Sequence, residues 1–352
     1  MCGIAGVSFV TSEDLAHDQA KLEAVSKAAF HSLSLRGRTS YGMFTRFEGT
    51  GSSPYSFLKE LGDPLLCSAV SFGDDWDTAV ASMIFHTRAP SVGASTLGNC
   101  QPCIQVQDGD AFALAHNGTI GDHDDFLRRV FGSDLPPLAK RHSSDSHALA
   151  TVLRVGAFSE TRAISADGLE SYPSGFFLGR AFRLLSLLDP DNWDSAAVIY
   201  SPPRLADRST LYAARVSGSP LCLAYLKSGS VVEALVSASD VRTLDLMGKA
   251  CGRKVEHLGA LTDGDVVRMR AGALEAEWML DLPERAPLPD NAYSTIGSGV
   301  SHSPYWKGRD YGYGSGYGKE IKAWDWDLPD KDSSEWSDLD DPYSYDFSGG
   351  CS

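Results

Sequence analysis

The stretch whose reading decides the fold is Met1-Cys2-Gly3-Ile4-Ala5-Gly6-Val7-Ser8-Phe9-Val10. Residues 3–10 are rich in small and branched apolar residues and read as a buried strand. Such a strand puts Cys2 at its very beginning. Initiator methionine is removed when the next residue is small, so Cys2 is expected to become the first residue and to carry both a thiol and a free α-amine. A thiol of pKa about 8.5 is mostly protonated at neutral pH and needs a base to act as a nucleophile. An α-amine titrating near ~7.7–8.0 supplies one within the same residue. The bland alternative is an incidental second residue, packed or exposed.

Working outward, apolar residues recur at helical spacing from Glu13 to Leu35, with Ser12 and Asp14 offering N-terminal capping chemistry. Arg36-Gly37-Arg38 ends that helix. Short strands are expected at 41–47, 82–88 and 111–116, helices at 122–131 and 144–155, and strands again at 195–201, 210–216, 220–226, 231–237 and 265–270. A further helix is expected near 176–188. Strands flanking a central helical portion indicate an α+β arrangement of sheets packed against helices, with no βαβ repeat.

Composition bounds the function. The chain has 352 residues, 43% of them hydrophobic, enough for a sizeable core. A net charge of −15 excludes a general phosphate-backbone binder and an anionic membrane surface. Small neutral or zwitterionic substrates fit better. The seven cysteines are odd in number and mostly isolated, which points to a reducing compartment; no run approaches the ~18 apolar residues of a membrane span. Cytoplasm is the expected location.

Four further stretches carry chemistry. Phe85-His86-Thr87-Arg88 ends an apolar strand on an arginine, whose fork suits a carboxylate, although a surface ion pair is the commoner use of an isolated arginine. Leu114-Ala115-His116-Asn117-Gly118 ends a second strand on a pair able to donate to an oxyanion from the Asn amide and the Gly N–H. In isolation Asn-Gly reads as a tight turn. Ser143-Ser144-Asp145-Ser146 opens a helix with a carboxylate that either accepts an amino group or caps the helix. Cys100-Gln101-Pro102-Cys103 has redox or zinc spacing but lacks a second pair, so its cysteines read as structural and no metal or cofactor is expected. His86 and His116 read as hydrogen-bonded scaffold.

In order and spacing, Met1–Gly6, Arg36-Gly37-Arg38-Thr39-Ser40-Tyr41-Gly42, His86-Thr87-Arg88, His116-Asn117-Gly118 and Ser144-Asp145 together resemble the class II glutamine amidotransferases, members of the N-terminal-nucleophile (Ntn) hydrolase superfamily. The resemblance covers residues 2–285 and is strongest over 2–150. Residues 234–239 and 261–265 resemble that domain's closing strands. It implies a four-layer α/β/β/α sandwich of two mainly antiparallel sheets over 2–287. It also implies roles: Cys2 as nucleophile on the glutamine side-chain amide, Asn117 and Gly118 as oxyanion donors, Arg88 as the clamp on the substrate α-carboxylate, and Asp145 as acceptor for its α-amino group. The product is glutamate plus ammonia through a thioester. The sequence departs from the family's Arg-Gly-Pro-Asp-Ser-x-Gly at 36–42, has Ala89 where a bulky residue is usual, and has Val92 where histidine is common.

After residue 288 the composition changes. Residues 301–352 hold four of the seven tryptophans and six of the thirteen tyrosines, and from Trp324 to Ser352 there are nine acidic residues and one basic. A stretch so poor in aliphatics reads as a tail, 288–352, disordered or lying along the domain, and its aromatics make it an interaction candidate. It is too short and polar to form the synthase that family members commonly carry, so a separate ammonia-accepting synthase is an expected partner, docking through the tail. Two alternatives remain open: an Ntn amidase acting on another γ-glutamyl or amino-acid-like amide, and a catalytically silent binding module of the same fold.

Overall fold

The computed structural model describes residues 2–48, 55–67, 78–89, 94–107, 110–121, 123–124, 127, 144–154, 193–201, 210–262, 265–270 and 277–278. The chain divides into two units, Met1–Lys307 and Gly308–Ser352, and all described residues lie in the first. The expected helix at 176–188, most of that at 122–131 and the whole tail at 288–352 lie outside the described residues.

The described part is a mixed α+β fold with two sheets in which every pairing is antiparallel. The strands in chain order are β1 (Gly3–Phe9), β2 (Ser40–Phe47), β3 (Tyr55–Leu61), β4 (Val80–Arg88), β5 (Cys103–Gln107), β6 (Asp110–Ile120), β7 (Trp193–Ser201), β8 (Thr210–Ser217), β9 (Cys222–Ser228), β10 (Val231–Ala238), β11 (Lys254–Ala260), β12 (Val266–Arg270) and β13 (Glu277–Trp278). The helices are α1 (Gln19–Leu33), α2 (residues 145–154) and α3 (Val241–Ala250). The seven-stranded sheet runs β11-β9-β10-β1-β4-β2-β3 and the six-stranded sheet β13-β12-β8-β7-β6-β5.

β1 is the middle strand of the larger sheet, and all seven of its residues are buried. Its period of two splits the core. Ala5, Val7 and Phe9 join Leu22, Val25, Phe30, Leu244 and Met247 of α1 and α3 in one cluster. Ile4 instead joins Phe44, Ile84, Ala113, Ala115, Leu211 and Met269 in a second cluster, built from strands of both sheets. Each of the Val, Leu, Ile, Phe and Met side chains among them contributes about 1.5–3 kcal/mol by leaving water. Cys2 falls on the side of Ile4 by the same alternation, and so do His86 and Arg88 through Ile84. Cys2 and Arg88 therefore face the second sheet from the outset.

Several expected boundaries move. The first helix does not start at Glu13: residues Asp14–Ala16 form a separate 3-10 turn, and α1 begins after Asp18, which accepts from Lys21 N at 3.0 Å. β6 does not end at residue 116. It runs through Asn117 and Gly118 to Ile120 because β7 pairs with it residue by residue, and Gly118 takes φ +154° within the strand. Leu261 and Thr262 follow β11 outside any strand, with Leu261 N donating to Leu221 O.

Candidate functional site

A cleft at one end of both sheets brings together Cys2, Arg88, Gly118 and Asp145, four of the five site residues read from sequence. Asn99, Gln101, His116 and Ser146 line it as well. Cys2 just before β1, Arg88 at the end of β4, Asn99 and Gln101 ahead of β5, Gly118 in β6 and Asp145 at the start of α2 supply it, so segments remote in sequence converge on one thiol.

Cys2 is 8% exposed, and its Sγ donates to Ala89 O over 3.5 Å. Burial pushes the thiol pKa up, against the lowering influence of the Ala89 carbonyl contact, the chain's amino terminus and Arg88. The thiol is therefore neutral at rest, and its proton must be taken by a neighbouring base before it can attack a carbonyl. Arg36 Nε donates to the Cys2 carbonyl at 3.0 Å, fixing the backbone that carries the thiol.

The loop at 36–42 is tightly built. Thr39 bonds Arg88 O twice, from its N–H at 3.0 Å and from Oγ1 at 2.7 Å. Gly37 lies against the same peptide: a Cβ there would stand 2.4 Å from Arg88 C and 2.6 Å from Ala89 N. Both contacts are backbone and cannot rotate away. Gly37→Ala is expected to lower stability by about 1–3 kcal/mol and to displace the Ala89 carbonyl from Cys2. Urea unfolding together with the rate of Cys2 alkylation checks both effects.

Arg88 is 4% exposed and donates from Nη1 to Ala94 O at 3.0 Å, an acceptor it shares with Asn99 Nδ2, also at 3.0 Å. The buried position rules out the surface ion pair. Helix capping at α2 falls to Ser144, whose carbonyl accepts from Ala148 N at 3.2 Å and whose Oγ accepts from His147 N at 3.4 Å. Asp145 instead accepts from Ile120 N at 3.0 Å and from Ser146 N at 2.8 Å, which aims the carboxylate from the helix start at the end of β6. A carboxylate has about four lone-pair directions, so it retains capacity for a ligand ammonium.

Asn117 is 1% exposed, and its Nδ2 has no hydrogen-bond partner among the described residues. It shares the strand parity of Ala113 and Ala115 and so faces the sheet that carries Cys2. A buried amide donor without a partner costs about 1–3 kcal/mol; Asn117 is the one of the five that does not itself line the cleft, lying between the lining residues His116 and Gly118. Of the two histidines expected to be hydrogen-bonded scaffold, His116 is, whereas both ring nitrogens of His86 lack a hydrogen-bond partner among the described residues. His86 is fully buried and its pKa is pushed down to about 3, chiefly by burial, so its ring is neutral. His116 Nδ1 lies 3.0 Å from Ser146 Oγ.

Cys100 and Cys103 are both fully buried and reduced, with Cys100 Sγ donating to Thr96 O at 3.4 Å and Cys103 pushed up to about 12 by burial. Among the described residues no group of three His, Cys, Asp or Glu side chains is placed to hold a metal, and no helix is long and apolar enough to cross a membrane. The sequence reading missed Asn99, Gln101 and Ser146. Gln101 lies inside the Cys-Gln-Pro-Cys stretch, where the cysteines were the evident signal.

No family model and no curated protein matches the chain. Among solved structures it is similar to a glutamine aminotransferase class-II domain protein from Silicibacter pomeroyi, 14% identical over 77% of this chain and 95% of that one, with a TM-score of 0.38. It is also similar to a predicted glutamine amidotransferase from Pseudomonas aeruginosa, 16% identical over 79% of this chain and 98% of that one, at 0.39. At these values the functional conclusion rests on the cleft itself.

Proposed function

We propose that the chain is an amidohydrolase of the class II glutamine amidotransferase type, releasing ammonia from the side chain of glutamine in the cytoplasm. The observation that carries this is the placement of a buried cation, Arg88, and a carboxylate, Asp145, in the same cleft as the Cys2 thiol. Fixed opposite charges beside a nucleophile match the α-carboxylate and α-ammonium of a free amino acid and leave its side-chain amide toward the sulphur. The proposed architecture is the four-layer α/β/β/α sandwich, supported by α1 and α3 against one sheet, the core shared by both sheets, and Gln105 Nε2 of β5 donating to Thr151 Oγ1 of α2 at 3.3 Å.

After removal of Met1 the Cys2 α-amine takes the thiol proton, and Sγ attacks the amide carbon. The oxyanion is held by Asn117 Nδ2 and the Gly118 N–H. Collapse breaks the C–N bond as the α-ammonium returns its proton to the leaving nitrogen, giving ammonia and a thioester. Water, with the same amine as base, attacks the thioester, frees glutamate and restores the thiol. A separate synthase is the proposed acceptor of the ammonia.

The test is ammonia and glutamate release from glutamine by untagged protein of confirmed N-terminal mass. Equimolar release supports the reading. Cleavage of other γ-glutamyl amides with glutamine untouched replaces it with a different amidase. Arg88→Lys, which loses the planar fork, is expected to raise KM for glutamine about 10- to 100-fold with a smaller change in kcat, as loss of a charge-assisted pair predicts. Initial rates over a range of glutamine concentrations check this.

A further inference from the structure

The ladder between β5 and β6 closes at Cys103 opposite Leu114. Continuing that register toward the cleft places Gln101 opposite His116, while Pro102, lying between, has no N–H to give a ladder. Backbone pairing on this edge of β6 therefore stops where the strand enters the site. The Gln101 side chain takes over. Its Oε1 accepts from His116 N at 2.6 Å, and its Nε2 donates to Ser146 Oγ at 2.9 Å.

From there the connections reach both halves of the cleft. Ser146 Oγ lies 3.0 Å from His116 Nδ1, Ser146 N donates to Asp145 Oδ1, and Asp145 Oδ2 accepts from Ile120 N, beyond the Asn117-Gly118 pair. One carboxamide, 5% exposed, thus ties the strand carrying the oxyanion donors to the helix start carrying the ammonium acceptor. Its backbone is held in turn by β2, where a Cβ on Gly42 would stand 2.3 Å from Gln101 O. Only a side chain with both an acceptor and a donor at this length can serve both partners.

We infer that Gln101 is the positioning residue of the site: it holds Asn117 and Gly118 at a fixed separation from Asp145, so that a substrate anchored at its amino group presents its carbonyl oxygen to the donors. This rests on the glutaminase reading. A small misplacement of donors costs far more in the transition state than in ground-state binding, so the effect falls on kcat.

The test pairs kinetics with amide hydrogen exchange in full-length, processed protein. Gln101→Met keeps the length and removes both bonds. It is expected to lower kcat about 10- to 100-fold with KM within about threefold, and to speed exchange at 116–118 while the β1–β4 amides stay protected. Ser146→Ala removes one arm only and is expected to give a smaller fall of the same kind; it serves should Gln101→Met fail to fold. Unchanged kcat, unchanged exchange at 116–118, or faster exchange throughout the sheets would overturn the proposal. Wild-type protein that releases no ammonia, while Gln101→Met still frees those amides, overturns the glutaminase reading and leaves Gln101 as the residue that holds the strand.

Discussion

Cys2→Ala is expected to reduce ammonia release by a factor of about 10³ or more while shifting unfolding by no more than about 1 kcal/mol. The asymmetry follows from the surroundings of the thiol. Its polar contact is a long one to Ala89 O, and alanine removes a single sulphur atom, so little packing is lost. Chemically everything is lost, because no other nucleophile among the described residues lines the cleft beside Arg88 except Ser144 and Ser146, both committed to hydrogen bonds around α2. The companion experiment is a retained or added residue before Cys2. It leaves the thiol and turns the amine into an amide, so turnover is expected to fall as far as with alanine. Because burial raises the thiol pKa, the neutral thiol cannot replace that base. For processed enzyme, kcat/KM should rise with pH toward the range of a free α-amine, about 7.7–8.0, and level above it. Equal turnover with and without the extension would sink the self-contained base.

The sequence made much of this legible, and the failures have physical causes. β1 was readable because it is buried on both faces, which forces an unbroken apolar run. β3 was not, because Tyr55–Leu61 is an edge strand with exposed Phe57 and Leu61 and with Lys59 and Glu60 among them, so neither alternation nor continuity survives. Tyr41, opposite Glu60 in the register, hydrogen-bonds its carboxylate, a pairing visible only once β2 and β3 meet. α3 carried its signal in plain view, with Asp240 as N-cap accepting from Thr243 N at 2.8 Å, yet ten residues between strands are easily taken for a connection. At the site, Cys2, Arg88, Gly118 and Asp145 were each ambiguous alone, and only the fold brings them to one cleft. Gln101 was illegible because its role is to replace a missing backbone bond, which exists only after β5 and β6 pair.

Asn117→Ala is expected to separate activity from stability more sharply than any other change. Nδ2 is buried and has no partner among the described residues, so removing it relieves an unmet desolvation cost that can reach about 1–3 kcal/mol, offset by the small space left behind. Urea unfolding should therefore show the variant as stable as the wild type or more so. In turnover the same amide meets the oxyanion as it forms, and loss of one such donor costs about 10²–10³ in kcat. KM should barely move, since the ground-state carbonyl is neutral while Arg88 and Asp145 hold the amino-acid end. Asn117→Asp distinguishes this from simple loss of shape: it keeps the volume but presents negative charge to a developing negative charge, so its kcat should fall below that of the alanine variant. A destabilised Asn117→Ala protein with normal kcat would mean that the amide has a structural partner and that the oxyanion is held elsewhere.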